Sequence, residues 1–367
     1  MLRSAARALS ALRVGRRWQP LDFSNSNVGH ISVKQAIEEE TLPGYIIGKL
    51  GYGATSTAWL ARDMKYRTYA TVKIYVKAAS MGQQLENEVN MYQHVTRESK
   101  HPGCRAIRTL TDSFHIEGPE DKHQCLVHPA LFESVWEFLL RNPVQRLLNV
   151  VLAFTLRRLF LALDYLHTEC QISHTDIKAD NIMFELADDL DPSPRKEIDG
   201  RTIYLSQNLE MIPGKIGAPV LCDFRSAVSG GVKHTEDVQP DVYRAPEIIL
   251  EVPWSCSIDI WKVGCMIWNI FEGGSFFTGQ DPEFKTYRSR AHLAEMINLL
   301  GPPPVGLLAR ANQGKKFFTE DGEFRHGDLN KASFLRMMRR MLQWEPEKRS
   351  SARDLAQDEW IRKQIGM

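Results

Sequence analysis

The hydrophobic pattern of the chain changes period once, near Pro129, and no other feature restricts its fold as much. Before that point apolar residues alternate over short runs. Residues 45–50, 56–62 and 69–75 read as three strands joined by tight connections, with two more at 108–115 and 124–128. Among them Leu85, Val89, Tyr92 and Val95 recur at helical spacing, which predicts one helix from 82 to about 97. Beyond Pro129 the spacing turns helical over 135–140, 144–167, 257–271, 292–299, 332–344 and 352–360, with short strands at 182–184 and 220–222. A strand-rich part followed by a larger helical part predicts an α+β protein of two unequal lobes. The expected layout is a disordered leader and linker over 1–42, a small lobe with its connection over 43–131, and a large lobe over 132–367. Segment 188–217, rich in Asp, Pro, Ser and Lys, reads as a surface insertion.

Charge and composition remove several classes of function. The 46 Lys and Arg residues against 45 Asp and Glu lack the basic excess of a constitutive nucleic-acid binder. An apolar content of 43% supports a packed core rather than a disordered tail. Six cysteines without a C-x-x-C pair read as buried thiols in a reducing compartment. The most apolar window, 147–166, is interrupted by Arg157 and Arg158 and reads as a buried helix, not a membrane span. The leader differs from the rest, with Arg3, Arg7, Arg13, Arg16 and Arg17 all preceding the first acid, Asp22. Two readings of it stand, a mitochondrial presequence and a disordered leader. Leu2 and Leu9 share the arginines' half of the helical wheel, so its amphipathicity is weak.

Several short strings have the residue types that phosphate chemistry needs. Gly51-Tyr52-Gly53-Ala54-Thr55-Ser56 lies at a strand turn, where glycines let backbone N–H groups approach a polyphosphate. By itself it suits a plain hairpin as well. Lys73 sits on a strand among apolar neighbours, and Glu88 lies near the inward face of the following helix. Facing each other, the two would hold an ATP phosphate; either alone would be surface charge. The strongest string is His174-Thr175-Asp176-Ile177-Lys178-Ala179-Asp180-Asn181, with a carboxylate for a hydroxyl, an amide for a metal and a lysine to neutralise a phosphoryl group. Asp223-Phe224 follows an apolar run, and Tyr243-Arg244-Ala245-Pro246-Glu247, Asp259-Ile260-Trp261 and Arg349 come later. Their order and spacing together exceed chance.

In these strings the chain resembles the eukaryotic-type protein kinases, over roughly 43–361. It is most similar to the SR-protein kinases, which phosphorylate serines beside arginines. The residues that point there are Leu50-Gly51-Tyr52-Gly53, Ser56-Thr57, Trp59-Leu60, His174-Thr175-Asp176-Ile177-Lys178, 243–250 and Asp259-Ile260-Trp261 with Cys265-Met266. Leu342-Gln343-Trp344-Glu345-Pro346-Glu347-Lys348-Arg349 is similar to fungal members. The resemblance implies the bilobal kinase fold and a monomeric serine/threonine kinase using ATP and Mg²⁺. Its substrates would be Arg/Ser-rich proteins of mRNA processing, in the cytoplasm or nucleus, without direct nucleic-acid or membrane binding. It implies that Leu50, Gly51, Tyr52, Gly53, Ser56, Ala58 and Thr71 surround the nucleotide, that Lys73 contacts its phosphates, and that Glu88 orients Lys73. Pro129 and Leu131 would meet the adenine edge, Met183 would form its floor, and His128 would guard the back pocket. Asp176 would accept the substrate proton with Lys178 beside it, while Asn181 and Asp223 would hold the metal.

Three departures accompany the resemblance. Arg225 stands third after Asp223-Phe224, where the family has glycine, and its Cβ resists backbone flips. Thr175 replaces the arginine that commonly reads an activation-segment phosphate, so activity independent of phosphorylation at Ser226, Ser229 or Thr235 is expected. Residues 43–48 leave little room for a first strand and its run-in. The competing reading is a pseudokinase or scaffold in which Arg225 and Ser56 blunt turnover. Glu236, Asp237 and Asp241 are candidates to meet substrate arginines, or simply a solvated acidic loop.

Overall fold

The computed structural model describes residues 44–52, 56–63, 68–75, 82–117, 122–142, 146–186, 195–198, 201–204, 217–311 and 332–366. The leader and linker (1–42), Gly53 and most of 188–217 lie outside them. The described residues of Met1–Arg97, Arg108–Glu133 and Phe184–Gly217 form one compact unit, and those of Glu98–Ile107, Ser134–Met183 and Ala218–Met367 a second.

The first unit is built on strands β1 (Gly44–Tyr52), β2 (Ser56–Asp63), β3 (Tyr69–Tyr75), β4 (Asp112–Glu117) and β5 (Lys122–Pro129), antiparallel to one another wherever they pair. The next strands in the chain are β6 (Leu131–Ser134), β7 (Ile172–Ser173), β8 (Ile182–Glu185), β9 (Arg195–Ile198) and β10 (Arg201–Tyr204). Two of them, β9 and β10, are a hairpin from the predicted insertion and join the same sheet, in the order β4-β5-β3-β2-β1-β10-β9. The hairpin pairs with β1 in parallel, through Lys49 and Ile203. Strand alternation sends Val72 and Ile74 of β3 to one face, where they pack with Ile46, Ala61, Phe114, Ile116 and Cys125. The opposite parity carries Thr71, Lys73 and Tyr75. Helix α1 (Gly82–Val95) buries Glu88, Tyr92 and Val95 along one side. The strand expected from 108 begins at 112, because 108–111 is an approach tied by Leu110 N to Thr96 Oγ1 and Thr111 N to Val127 O.

The second unit is mostly helical. Helix α2 (Val135–Arg141) opens on a capping box in which the Ser134 hydroxyl accepts from Glu137 N and the Glu137 carboxylate accepts from Ser134 N. The expected helix 144–167 is realised as α3 (Asn149–Tyr165), which ends in a π-turn over Leu166–Cys170. Strands β11 (Pro219–Leu221) and β12 (Val228–Ser229) follow, then α4 (Pro246–Ile249), α5 (Ser257–Glu272), α6 (Ser289–Leu300), α7 (Val305–Arg310) and α8 (Ala332–Met341). The helix predicted over 352–360 is two, α9 (Ala352–Ala356) and α10 (Glu359–Gln364). Asp358 divides them, since its carboxylate accepts from Trp360 N and starts a new helix. Beneath α5 the Glu247 carboxylate takes a bidentate bridge from Arg349, at 2.6 and 2.7 Å, with both side chains buried. Breaking one partner of such a pair costs on the order of 3–5 kcal/mol.

Candidate active site

In the first unit the register lines up Gly51, Ala58 and Lys73 across β1, β2 and β3. A Cβ built on Gly51 would meet no atom of the described residues within 4 Å, so their packing does not require glycine there and leaves the strand backbone open on that side. Leu50 is exposed, Ser56 and Thr71 are buried, and Ala58 is half-buried. Gly53 is outside the described residues, and Tyr52 is placed by its backbone alone. Lys73 Nζ donates to Glu88 Oε1 at 2.8 Å, and Tyr75 Oη donates to Glu88 Oε2 at 2.5 Å. Two side chains of the same strand face thus fix a carboxylate that α1 buries completely. His128 is buried, its Nδ1 bonded to Thr109 O and its ring tilted on Tyr92. Burial, reinforced by the Arg108 charge, holds this imidazole well below its ordinary pKa and therefore neutral. Pro129 is exposed and its carbonyl accepts from Arg108, while Leu131 on β6 is half-buried.

The second unit carries the catalytic string on the loop between β7 and β8. Asp259, buried in the first turn of α5, accepts from His174 N and Thr175 N at 2.8 Å each and from His167 Nε2 at 3.0 Å. Thr175 adopts a left-handed φ of 65°, which those two hydrogen bonds hold in place. Its hydroxyl donates to Ser226 O. The turn this produces presents Asp176. Asp176 Oδ2 meets Lys178 Nζ at 3.0 Å and Asn181 Nδ2 at 3.1 Å, and Oδ1 meets Lys262 Nζ at 2.9 Å. Partial burial pushes this carboxyl up, but the Lys262 ammonium, with Lys178, brings it below the usual carboxylate range. Asn181 also donates to Asp176 O, so its amide nitrogen is spent within the loop and Oδ1 is the part left to coordinate. Met183 lies half-buried on β8.

Asp223 follows β11 with a left-handed φ of 69°, a conformation that Asp tolerates better than most residues. Its carboxylate is held by Arg225, Nε to Oδ1 at 2.7 Å and Nη2 to Oδ2 at 2.6 Å. The arginine side chain is 40% exposed. Asn181 and Asp223 offer hard oxygen donors, and among the described residues no group of three or more His, Cys, Asp or Glu forms a metal cage. That donor set fits Mg²⁺, which takes one or two protein oxygens and completes its shell with water and phosphates.

The segment between Asp223 and Glu247 is tied down by uncharged contacts. His234 and Trp254 exchange backbone hydrogen bonds at 2.9 Å and stack, and Gln239 donates to Ile258 O while accepting from Ala245 N. Two of its three acids, Asp237 and Asp241, are bound to Arg244 at 3.2 Å each. Two contacts escaped the sequence reading. Arg225 was weighed for its backbone, not as a ligand of Asp223, and Lys262 was passed over. The signal for Lys262 was present, an ammonium within the apolar run 258–267.

The protein kinase domain model matches residues 45–361. A serine/threonine protein kinase of Aspergillus fumigatus is 37% identical over 339 residues, which cover 86% of this chain and 84% of that protein. Serine/threonine-protein kinase SRPK of Physarum polycephalum is 28% identical, over 84% of this chain and 83% of its own. The fold is similar to a kinase domain known from a crystal structure, at a TM-score of 0.67 and 21% identity, covering 87% of this chain and 95% of that one.

Proposed function

We propose a role for each site residue of this chain, which belongs to the protein kinase family and is a serine/threonine protein kinase. Asp176 receives the proton of the substrate hydroxyl as the γ-phosphoryl group of ATP is transferred to it. Lys178, on the same carboxylate, neutralises charge on the group in flight. Lys73, oriented by Glu88, meets the nucleotide phosphates. The open backbone at Gly51, with Leu50, Tyr52, Gly53, Ser56, Ala58 and Thr71, covers the nucleotide. Pro129 and Leu131 meet the adenine edge, Met183 forms its floor, and the neutral, buried His128 is a packed wall. Asn181 and Asp223 hold Mg²⁺, which when bound supplies positive charge to the phosphate oxygens. In this division 43–131 serves the nucleotide, and 132–367 serves the metal and the peptide and adds Met183 for the adenine.

The observation that carries this reading is the grouping of Lys178 and Asn181 on the Asp176 carboxylate, within one loop whose backbone Asp259 fixes. Phosphoryl transfer asks the protein for alignment and charge rather than covalent help, and that grouping supplies both. The substrates we infer are Arg/Ser-rich proteins of mRNA processing, met in the cytoplasm or nucleus by a monomeric enzyme. The Glu236 side chain is 70% exposed and, unlike the similarly exposed Asp237, has no arginine among its described partners, which makes it the acid of the segment open to a substrate guanidinium. No described helix is long and apolar enough to cross a membrane. The test is Mg²⁺-ATP turnover on an Arg/Ser peptide beside acidic and proline-directed peptides, with Asp176→Ala as control. Preference for the Arg/Ser peptide, lost in the variant, is expected; preference for either other class overturns the substrate reading.

One observation favours a second reading, a scaffold of little turnover: the bidentate hold of Arg225 on Asp223. The same assay decides, since a parent protein no faster than its Asp176→Ala variant is a scaffold.

A further inference from the structure

We propose that Lys262 is a positioning residue for Asp176, so that one turn of α5 grips the catalytic loop with both signs of charge. Asp259 takes the loop's N–H groups, and Lys262, three residues on and therefore on the same helix face, takes its oxygens. The inference rests on the reading of Asp176 as the proton acceptor.

The surroundings of Lys262 argue for a dedicated contact. Its side chain has no exposure, and Ile258, Ile260, Trp261, Val263, Cys265, Met266 and Ile267 on the same helix are all buried. An apolar side chain would be the stable choice in such a stretch, because an ammonium taken out of water costs several kcal/mol unless it is paired. Nζ finds partners only in the loop among its described hydrogen bonds, Asp176 Oδ1 at 2.9 Å and Thr175 O at 3.2 Å. The Tyr243 ring lies 5.9 Å from Nζ, adding an aromatic wall to the site. A lysine needed only for Thr175 O would have no use for its charge, since a carbonyl accepts equally from a neutral donor. The charge has use at the carboxylate. Lys262 fixes Oδ1 from a long buried helix while Lys178 and Asn181 meet Oδ2 from within the loop. The carboxylate plane is thereby set from both edges, and Oδ1, with one described donor against two on Oδ2, keeps a further lone pair for the substrate hydroxyl.

Steady-state kinetics on the full chain, as a double-mutant cycle, tests the assignment. Lys262→Met is expected to lower kcat about 10²-fold, the usual effect of misplacing a reacting group. KM for ATP should stay within about twofold, because the nucleotide contacts lie elsewhere. In the Asp176→Asn background the same substitution should change kcat by less than about threefold, because the carboxylate it positions is gone. An equal loss in both backgrounds, in proteins that melt cooperatively, would mean a merely structural lysine and overturn the proposal, as would a Lys262→Met kcat within about threefold of the parent. If Lys262→Met does not fold, Lys262→Arg restores charge and donors and should keep kcat within about tenfold. A folded Lys262→Arg protein as slow as Asp176→Asn also overturns it. Asp176→Ala at parental speed would instead sink the reading of the site itself, which separates the two failures.

Discussion

Asp176 and Asp223 belong to the same unit, both end a left-handed or loop backbone turn, and both carboxylates are met by a cation two residues on, yet Asp176 is also met by a second cation from a distant element. Asp176 is gripped by Lys262, which is fully buried and lies 86 residues away on α5. Asp223 is gripped by Arg225, two residues away and 40% exposed. A cation embedded in a long helix cannot leave without opening the core, so its contact persists through a reaction cycle. A cation on a neighbouring, half-exposed side chain can swing into water at modest cost. The first arrangement suits a group that must keep one geometry. The second suits a group that has to exchange one cation for another, as a metal ligand does.

Removing each carboxylate gives the coarsest view of this difference. Asp176→Ala should lower kcat on the order of 10²–10⁴-fold while leaving Mg²⁺-dependent binding of ADP intact. Asp223→Ala should abolish that Mg²⁺ dependence, which titration calorimetry with and without the metal would register. If both variants lose metal dependence equally, the two carboxylates do not divide the labour as described. Next in size is Lys178→Ala. Its ammonium is one-third exposed and shares Asp176 with Lys262, so a kcat loss of about tenfold is expected, smaller than that of Lys262→Met. The reverse order would show that the loop lysine, not the helix lysine, governs the carboxylate.

Arg225→Ala probes the displaceable cation. Freed of its competitor, Asp223 should bind Mg²⁺ about fivefold more tightly, equivalent to about 1 kcal/mol for a half-exposed bridge. The Mg²⁺ concentration at half-maximal turnover should fall accordingly, and so should the metal concentration needed to raise Tm in the presence of ADP. An unchanged requirement would mean that the bridge opens at no cost. The smallest effect is expected from phosphate removal. Thr175 spends its hydroxyl on Ser226 O, and the segment after it is anchored through His234, Trp254 and Gln239. Phosphatase treatment, or Ser229→Ala with Thr235→Ala, should leave kcat within about twofold. Loss of activity in either would place a phosphate among the segment's required anchors.

What the sequence reveals of this molecule follows the locality of each interaction. The strands β1 to β3 were legible from alternation, and the catalytic string from the types and spacing of its residues. The hairpin β9–β10 was not, because pairing of Ile203 with Lys49 spans more than 150 positions and leaves no local pattern. The break between α9 and α10 was masked by apolar spacing that continues across Asp358, whose capping role shows only once the backbone is placed. The grouping of Asp176, Lys178 and Asn181 lies within six residues and was readable. Lys262 was readable only in part, since its place in the apolar run 258–267 signals burial but a string does not convey its partner. Arg225 failed differently. It was noticed for the glycine it replaces, and only the side-chain geometry reveals where the guanidinium goes.

The buried bridge between Glu247 and Arg349 has a consequence for how the molecule is made. The two residues are 102 positions apart. A ribosome adding about 5–20 residues each second delivers the arginine roughly 5–20 s after the glutamate. Throughout that interval the nascent end of the activation segment holds a carboxylate whose native counter-ion does not yet exist. The stretch bearing Tyr243 to Glu247 therefore settles late, and a message truncated before codon 349 yields a chain that carries every catalytic residue without the clasp that fixes the end of that segment.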